Sequence, residues 1–351
     1  MQQSTKNIGI ATAILVVIAA GAVLYVLQGI LLPFILAGLL SILFRPIVVR
    51  LRAIKVPMAL CIPIVLLIAG GALWGISMII SAGIVSATEK APLYEARLSD
   101  LITQANLGIR KLSVDLFGRP SAMKFENILD PSALAGLATS SVSSLVTLIG
   151  DGTLVLLFLV FMVPAGETFP RKLAAIRDRI PSVDIVSIFT TVHDKVLRYL
   201  GIKTLLNIVV GLLTWIILAI MGVDFAALIA LITFLFHYLP NIGSIISTFI
   251  PGFVALVQFE SFGFAALVVV ILSAMQNLMG NILEPRIMGD SLDLSPVLVL
   301  FSLAFWGWMW GIVGMILSVP IMAVVKVVLE AIPATQPIAV LMGSGKRLPS
   351  R

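Results

Sequence analysis

The chain has 351 residues, 60% of them hydrophobic and 11% charged, with a formal net charge of +6. A soluble globular domain is about 45–50% apolar and about 25% charged, so this composition excludes an ordinary soluble protein and predicts a membrane protein. The positive residues lie in short blocks beside apolar runs, which indicates loops near anionic lipid rather than a nucleic-acid-binding surface. Cys61 is the single cysteine, and this count excludes an intrachain disulfide.

Apolar runs follow one another along the whole chain, and they predict an all-α membrane protein with about eight membrane segments. The segments are residues 8–27, 30–44, 58–80, 145–163, 204–221, 225–257, 262–274 and 296–329. The first is as long as a full span, so we interpret it as an uncleaved membrane segment rather than a signal peptide. The predicted regions are N-terminal segments in residues 1–82, an extracytoplasmic helical region in 83–144, the fourth segment in 145–163, a cytoplasmic amphipathic helical region in 164–203, a membrane core in 204–332 and a cytoplasmic tail in 333–351.

The distribution of Arg and Lys predicts the orientation of these segments. Basic blocks follow the second and the fourth segments and close the chain, whereas the charges of residues 83–144 balance. Because cytoplasmic loops carry the positive excess, we expect both termini to be cytoplasmic and residues 83–144 to lie outside. The number of full crossings is then even.

The sixth and eighth segments are over-long and interrupted. Residues 225–257 would form a helix about 50 Å long and residues 296–329 one about 51 Å long, against a hydrocarbon core of roughly 30 Å. Pro240 and Gly243 interrupt the sixth segment, because proline removes a backbone donor and glycine permits unusual dihedrals. The breaking residues of the eighth are Gly307, Gly311, Gly314 and Pro320. An even number of crossings allows two kinked spans or two re-entrant hairpins, and the hairpin is favoured for the sixth segment.

A helical stripe in the outer region has the pattern of a packing seam. Apolar residues recur from Leu98 to Leu116 at spacings of 4, 3, 4, 3 and 4, including Ile102 and Ile109. This is the a/d pattern of a coiled coil. Two interpretations remain open: the helix packs on its own subunit, or it forms a contact between subunits.

The sequence contains none of the patterns expected of an ATP-driven pump, a metalloenzyme or a hydrolase. Residues 343–346 have the wrong spacing for a phosphate-binding loop. His193 and His237 are the only histidines, so there is no paired-histidine metal motif. We therefore predict a protein that is not an enzyme, has no cofactor and has no catalytic or metal-binding residues.

Polar residues within apolar segments are costly in a membrane, which makes each a candidate functional residue. The candidate substrate-pathway residues are Asn207, His237, Pro240, Asn241, Gly243, Gln276, Asn277 and Asn281. Glu284 and Arg286 flank Pro285 and are candidates for ion coupling or gating; alternatively, they form a local ion pair that fixes a loop. A neutral lining of amides and imidazole suits a small polyhydroxylated solute.

Several short motifs resemble the autoinducer-2 exporter family of bacterial membrane proteins. They are LPNIGS at residues 239–244, ILEPRIMG at 282–289, LSP at 294–296, FWGWMWGIVG at 305–314 and VP at 319–320. The resemblance covers most of the chain, and its specific motifs lie within residues 199–326. It implies an inner-membrane protein that assembles as a homo-oligomer, with pentamers in the family. It also implies export of the furanosyl quorum signal or, in other members, sodium/proton antiport.

Residues and resemblance together predict an exporter of a small polar solute, with autoinducer-2 as the best single candidate. The broken segments would rearrange around a polar pocket at the membrane midplane, without ATP hydrolysis. Two alternatives remain: a sodium/proton antiporter that uses Glu284, and a non-transporting oligomeric scaffold in the lipid bilayer.

Overall fold

The structure is a computed structural model that describes residues 18–117, 152–176, 185–240, 242–288 and 293–345, together with residues 12, 15, 16 and 150. These residues form helices and short connections, with no strand among them. The elements are α1 (residues 18–26), α2 (Gln28–Ala53), α3 (Met58–Phe117), α4 (Gly152–Ile176), α5 (Ile185–Ile220), α6 (Ala226–Phe236), α7 (Ile242–Phe259), α8 (Phe262–Asn277), a π-helical segment (Leu278–Leu283), α9 (Glu284–Met288), α10 (Pro296–Ala331) and α11 (Gln336–Met342).

Within the described residues, seven helices are long and apolar enough to cross a membrane. Helix is the expected form, because it satisfies every backbone group within its own segment where water is absent. Local signals fix some of the helix starts. The Ser261 hydroxyl accepts a hydrogen bond from the Phe264 N–H at the start of α8, and Pro296 occupies the first turn of α10. The prediction of an all-α membrane protein is confirmed.

Two helices continue beyond their predicted membrane segments. Helix α3 has 60 residues, which corresponds to about 90 Å, so it extends well beyond one hydrocarbon thickness. It includes residues 83–117 of the predicted outer region; residues 118–149 lie outside the described residues. Helix α5 has 36 residues and runs without interruption through residue 203. The inner amphipathic helix and the fifth membrane segment therefore form one helix.

The sixth segment is a helical hairpin made of α6 and α7. The Asp224 N–H donates to Gln258 Oε1 at 2.7 Å, and Gln258 Nε2 donates to the Gly222 carbonyl oxygen at 2.8 Å. These residues are 34 and 36 positions apart, a separation of about 50 Å in a straight helix. The arms have 11 and 18 residues, or about 16 and 27 Å. Both are shorter than the roughly 30 Å hydrocarbon core, which favours a re-entrant hairpin over two full crossings.

The eighth segment also folds back on itself. Trp310 and Gly311 interrupt the helical dihedrals of α10, and Gly311 has φ +63°, a value that glycine adopts without strain. Ser302 Oγ donates to the Ser318 carbonyl oxygen at 3.1 Å, although 16 residues of straight helix would separate them by about 24 Å. The structure thus decides between the two predicted alternatives, because both broken segments are hairpins.

The chain divides into two compact units. The first unit comprises residues 1–69, 151–201 and 290–351, and the second comprises residues 70–150 and 202–289. Helices α2 and α4 pack in the first unit around buried residues that include Ala37, Cys61 and Leu159. In the second unit, α7 and α8 pack around Ala255 and Leu272. The first hairpin belongs to the second unit, where the candidate site lies.

Candidate functional site: a polar-floored cavity in the second unit

A cavity of about 760 Å³ lies in the second unit, with walls supplied by α7 and α8. The lining is largely apolar, and a group of polar side chains lies together at the end where α5, the α6–α7 break, the C-terminal end of α8 and the π-helical and α9 residues after it meet. The polar lining residues at this end are Lys203, His237, Gln276, Asn277, Asn281 and Glu284. The apolar walls include Phe249, Phe253, Leu256, Phe262 and Val269. We call the polar end the floor of the cavity.

The α6–α7 break reaches the cavity because its backbone makes a compact turn. The Leu239 N–H donates to the Phe236 carbonyl oxygen at 2.8 Å, and the Gly243 N–H donates to the Leu239 carbonyl oxygen at 3.1 Å. A Cβ atom at Gly243 would lie 2.1 Å from the Phe236 carbonyl oxygen, so only glycine fits here. The turn exposes His237 and Pro240 to the cavity. The LPNIGS motif therefore builds part of the floor.

A π-helical segment brings further polar groups to the same floor. Helix α8 continues after Asn277 as a π-helix over Leu278–Leu283 before α9 begins. Such segments are rare and occur frequently at functional sites, because the extra residue in the turn redirects side chains. Asn281 Nδ2 donates to Asn277 Oδ1 at 2.8 Å, and Asn277 Nδ2 donates to the Ser273 carbonyl oxygen at 2.9 Å. The two asparagines form a hydrogen-bonded ladder along the wall.

An ion pair closes the floor. Lys203 Nζ donates to Glu284 Oε1 at 2.5 Å, and the side chains are only 5% and 21% exposed. His237 Nε2 lies 3.7 Å from the other carboxylate oxygen of Glu284. The pair joins α5 to the start of α9 across 81 residues of sequence. Two charges that would be costly alone in this setting thus compensate each other.

The partner of Glu284 differs from the local one that the sequence suggested. Arg286 is exposed and does not line the cavity, and the described contacts pair Glu284 with Lys203 instead. Helix α9 begins at Glu284 and keeps Pro285 in its first turn, where proline is tolerated. Residues two positions apart on a helix do not face each other, so Glu284 points inward while Arg286 points away. The alternative of a local Glu284–Arg286 clasp is wrong.

Two polar groups at the floor lack a hydrogen-bond partner among the described residues. Both amide atoms of Gln276 are unpaired although the residue is only 4% exposed, and His237 Nε2 is unpaired as well. Leaving a buried polar group unsatisfied costs about 1–3 kcal/mol. Such groups in a native protein call for an explanation, and their position on a cavity wall indicates a polar ligand or water.

The cavity gathers most, but not all, of the residues singled out in the sequence. His237, Pro240, Gln276, Asn277, Asn281 and Glu284 line it. Gly243 lies behind the turn and shapes it. Asn207 is fully buried on α5 and is not part of the lining, and Asn241 lies outside the described residues.

Lys203 is the floor residue that the sequence reasoning missed. In the sequence it belongs to the basic block that follows the fourth segment, which predicts a loop cation rather than an internal charge. The sequence holds one signal, because Lys203 continues a helical stripe with Asn207, Val210 and Thr214 at spacings of 4, 3 and 4. The structure buries all four residues. A lysine that continues a buried helical stripe is a candidate for a paired internal charge.

The floor offers hydrogen-bond donors and acceptors with no net charge of its own. Gln276 can donate and accept at the same time, and a hydroxyl group does likewise. Among the described residues, no group of three or more His, Cys, Asp or Glu side chains is placed to hold a metal ion. The arrangement is suited to binding a small polar molecule.

Comparisons with known proteins give a family and several relatives. A family model described as AI-2E family transporter matches residues 13–334, a range that includes every residue lining the cavity. The chain is 32% identical over 333 residues to the AI-2 transport protein TqsA of Escherichia coli (strain K12), covering 93% of this chain and 95% of that relative. It is 30% identical over 334 residues to the "Putative transport protein" of Haemophilus influenzae, covering 92% and 94%. It is 29% identical over 352 residues to the "Putative transport protein YhhT" of Escherichia coli (strain K12), covering 96% and 95%.

Proposed function

The chain belongs to the AI-2E family of membrane transporters, and on that basis we propose that it exports a small, neutral, polyhydroxylated solute through the cavity of the second unit. Autoinducer-2 is the best single candidate, because one relative is named an AI-2 transport protein. The observation that carries the proposal is the buried Gln276 amide, unpaired among the described residues, on the wall of a cavity whose floor charges cancel.

A polyhydroxylated solute fits the hydrogen-bonding capacity of this floor. Gln276 offers a carbonyl acceptor and amide donors, and His237 Nε2 adds another unpaired position. Each hydroxyl of the solute can replace the water that these groups would otherwise hold. The apolar side chains of Phe249 and Phe253 would limit water around the bound solute.

Movement of the first hairpin provides a route for alternating access. The α6–α7 turn forms part of the floor, so a displacement of this hairpin would open or close the site without unfolding a span. The sequence carries no phosphate-binding loop, and we propose that the solute moves down its own gradient or with an ion gradient rather than by ATP hydrolysis.

The proposal places the protein in the bacterial inner membrane, with both termini in the cytoplasm and lipid around its apolar surface. Leu67, Trp308 and Ile220 are 75%, 77% and 80% exposed, which is compatible with lipid contact. We also propose a homo-oligomer, and the family resemblance favours a pentamer. Native mass spectrometry of the purified protein would give the number of subunits, and a monomer would contradict this part of the proposal.

Replacing Gln276 tests the transport site. In proteoliposomes, Gln276→Leu should lower the flux of autoinducer-2 per molecule by about tenfold or more, because the solute loses a donor and an acceptor. Thermal stability should stay level or rise by about 1 kcal/mol, since leucine removes an unpaired buried amide. Gln336→Leu is the matched control, because Gln336 is an exposed residue on α11.

The same pair of variants separates a transporter from a scaffold. Export by Gln276→Leu at the parent rate would show that the floor is not the route. A parent protein that moves neither autoinducer-2 nor other polyols in a tight vesicle would support the scaffold alternative. Loss of flux together with a large loss of stability would show that Gln276 acts through packing rather than through contact with the solute.

A sodium/proton antiporter is the second candidate, and the position of Glu284 favours it. A carboxylate within a membrane cavity can exchange a proton for a cation. Sodium flux driven by an imposed proton gradient, present in the parent and absent in Glu284→Gln, would support this candidate. The contact between Glu284 and Lys203 weighs against it, because the carboxylate already holds a cation.

A further inference from the structure

We infer that Lys203 determines the charge selectivity of the cavity: it is a tethered cation that neutralises Glu284 and thereby reserves the site for neutral solutes. This inference rests on the proposed function, because it concerns which solute the same cavity accepts. Lys203 lies outside the short motifs that carry the family resemblance.

The lysine is held at the cavity floor by its partner. Lys203 is buried, and its ammonium group reaches the cavity floor from α5 to meet Glu284 Oε1 at 2.5 Å. A buried charge without a partner is strongly unfavourable, so each member of the pair holds the other at the floor. Both side chains belong to the cavity lining, so a bound solute would meet the pair directly.

The charged side chains of the cavity lining balance one another. Lys203 and Glu284 are the only side chains with a formal charge at neutral pH among the described residues that line the cavity. His237 is the other titratable lining residue, and its Nε2 lies 3.7 Å from Glu284 Oε2. The neighbouring Tyr238 hydroxyl is 2.7 Å from Thr204 Oγ1, in a hydrogen bond that either can donate. The fixed charges therefore cancel.

This charge balance determines which solutes the cavity favours. A cationic solute would have to displace an ammonium group that is already bonded to Glu284 and cannot diffuse away. An anionic solute would compete with Glu284 for Lys203 in the same manner. A neutral polyol leaves the pair intact and uses Gln276 and His237 instead. Selectivity is a difference of affinities, and here the pair disfavours both kinds of charged competitor.

The pair makes a different prediction when one member is removed. Without Lys203, Glu284 becomes an uncompensated carboxylate beside the cavity and should attract a cation. Without the Glu284 carboxylate, Lys203 should attract an anion. Removing both charges should restore selectivity for neutral solutes. A pair that served only to hold α5 against α9 would change stability in these variants without changing which charge binds.

Three probes with one carbon skeleton test the inference: sorbitol, its amino analogue glucamine, which is a cation at neutral pH, and its carboxylate analogue gluconate. Their binding to the purified full-length protein is measured by saturation-transfer NMR. Relative to the parent, Lys203→Met should shift the glucamine-to-sorbitol affinity ratio about tenfold or more towards glucamine, and Glu284→Gln should shift the gluconate-to-sorbitol ratio similarly. Lys203→Met with Glu284→Gln should return to the parent preference. Lys195→Met is the matched control, since Lys195 pairs with Glu330 outside the cavity lining.

The outcomes separate the inference from the proposed function. Variants that stay folded yet gain no affinity for the oppositely charged probe overturn the inference, whatever the parent transports. Parent protein that binds sorbitol with the expected charge preference but transports neither sorbitol nor autoinducer-2 overturns the proposed function alone, because the affinity ratios still report on the pair. If Lys203→Met does not fold, the Glu284→Gln arm decides by itself. In the exchanged pair, Lys203→Glu with Glu284→Lys, the charges cancel again, so a gain of affinity for either charged probe over sorbitol would overturn the inference.

Discussion

Gly243 allows the first hairpin to turn at the cavity floor, and its replacement should be costly. In Gly243→Ala the added Cβ would lie 2.1 Å from a backbone oxygen, that of Phe236, which cannot move aside as a flexible side chain can. We expect a loss of about 1–3 kcal/mol or more in stability and a large loss of transport, because the turn carries His237 and Pro240. Melting temperature and vesicle flux measure the two effects.

The control for this prediction is a glycine in open helical surroundings. A Cβ at Gly75 on α3 would meet nothing within 4 Å, so Gly75→Ala should be neutral or should stabilise the helix by up to about 1 kcal/mol. Equal melting temperatures for Gly243→Ala and Gly75→Ala would contradict the close approach at the turn.

At the level of single residues, the sequence identified polar groups but not their partners. His237, Gln276 and Glu284 are candidates because placing a polar group within an apolar membrane segment costs free energy. The partner of Glu284 could not be read in the same manner, since Lys203 lies 81 residues away and approaches only when α5 and α9 pack. Spacing along one helix predicts neighbours three or four residues apart, not contacts between helices.

At the level of elements, the two broken segments show what length and composition can predict. Excess length and helix-breaking residues near the middle predict an interruption in each segment. The even number of crossings, inferred from the basic blocks, predicts that both are kinked spans or both are hairpins. Neither signal distinguishes a kink from a hairpin, because both use the same proline and glycine chemistry. Contacts between distant residues, such as Ser302 with Ser318 and Gln258 with Gly222, make the distinction.

The base of the second hairpin is held by an ion pair that also fastens the C-terminal helix. Lys326 on α10 has a side chain that is 4% exposed, and its Nζ donates to Asp293 Oδ2 at 2.8 Å. The Ser344 hydroxyl donates to Asp293 Oδ1 at 2.5 Å, and the Ser295 N–H donates to the Met342 carbonyl oxygen at 2.9 Å. Asp293 therefore connects both arms of the hairpin to the segment that follows α11.

Replacing Asp293 should loosen this connection in a pH-dependent manner. The hydrogen bonds from Lys326 and Ser344 lower the pKa of Asp293 from 3.8 to about 2. A lowered pKa means that the carboxylate stabilises the fold above about pH 4, and that this contribution is lost as the pH falls through about 2. At neutral pH we expect Asp293→Ala to lower the free energy of unfolding by about 1–3 kcal/mol. The loss is limited because Glu330, 3.5 Å from Lys326, still compensates part of the positive charge of the lysine.

Melting curves of the parent and Asp293→Ala across a range of pH measure this effect. The difference in melting temperature should be constant above about pH 4 and should shrink towards zero near pH 2. Cleavage by a protease within α11 should become faster in the variant at neutral pH. A difference between parent and variant that persists unchanged at the acid limit would show that Asp293 acts through packing rather than through its charge.

At the scale of the whole molecule, the hairpins determine which side of the membrane each connection faces. In the proposed orientation, with the basic residues before α5 in the cytoplasm, α5 would cross outwards and the first hairpin would return to the side on which α5 ended. Ser261, between that hairpin and α8, should then lie outside together with Ser99 on α3. A kinked single span would instead put Ser261 in the cytoplasm. The position of Ser261 therefore tests the hairpin and the orientation at once.

Cysteine labelling in intact cells can measure these positions on a background in which Cys61, which is fully buried, is replaced by alanine. A membrane-impermeant maleimide should label Ser99→Cys and Ser261→Cys, whereas Ser350→Cys should react only after the membrane is permeabilised, because the basic tail is expected in the cytoplasm. Protection of Ser261→Cys with labelling of Ser99→Cys would mean that residues 225–257 cross the membrane once. Labelling of Ser350→Cys in intact cells would place the C-terminus outside and make the number of full crossings odd. The two broken segments would then no longer be required to be both kinked spans or both hairpins.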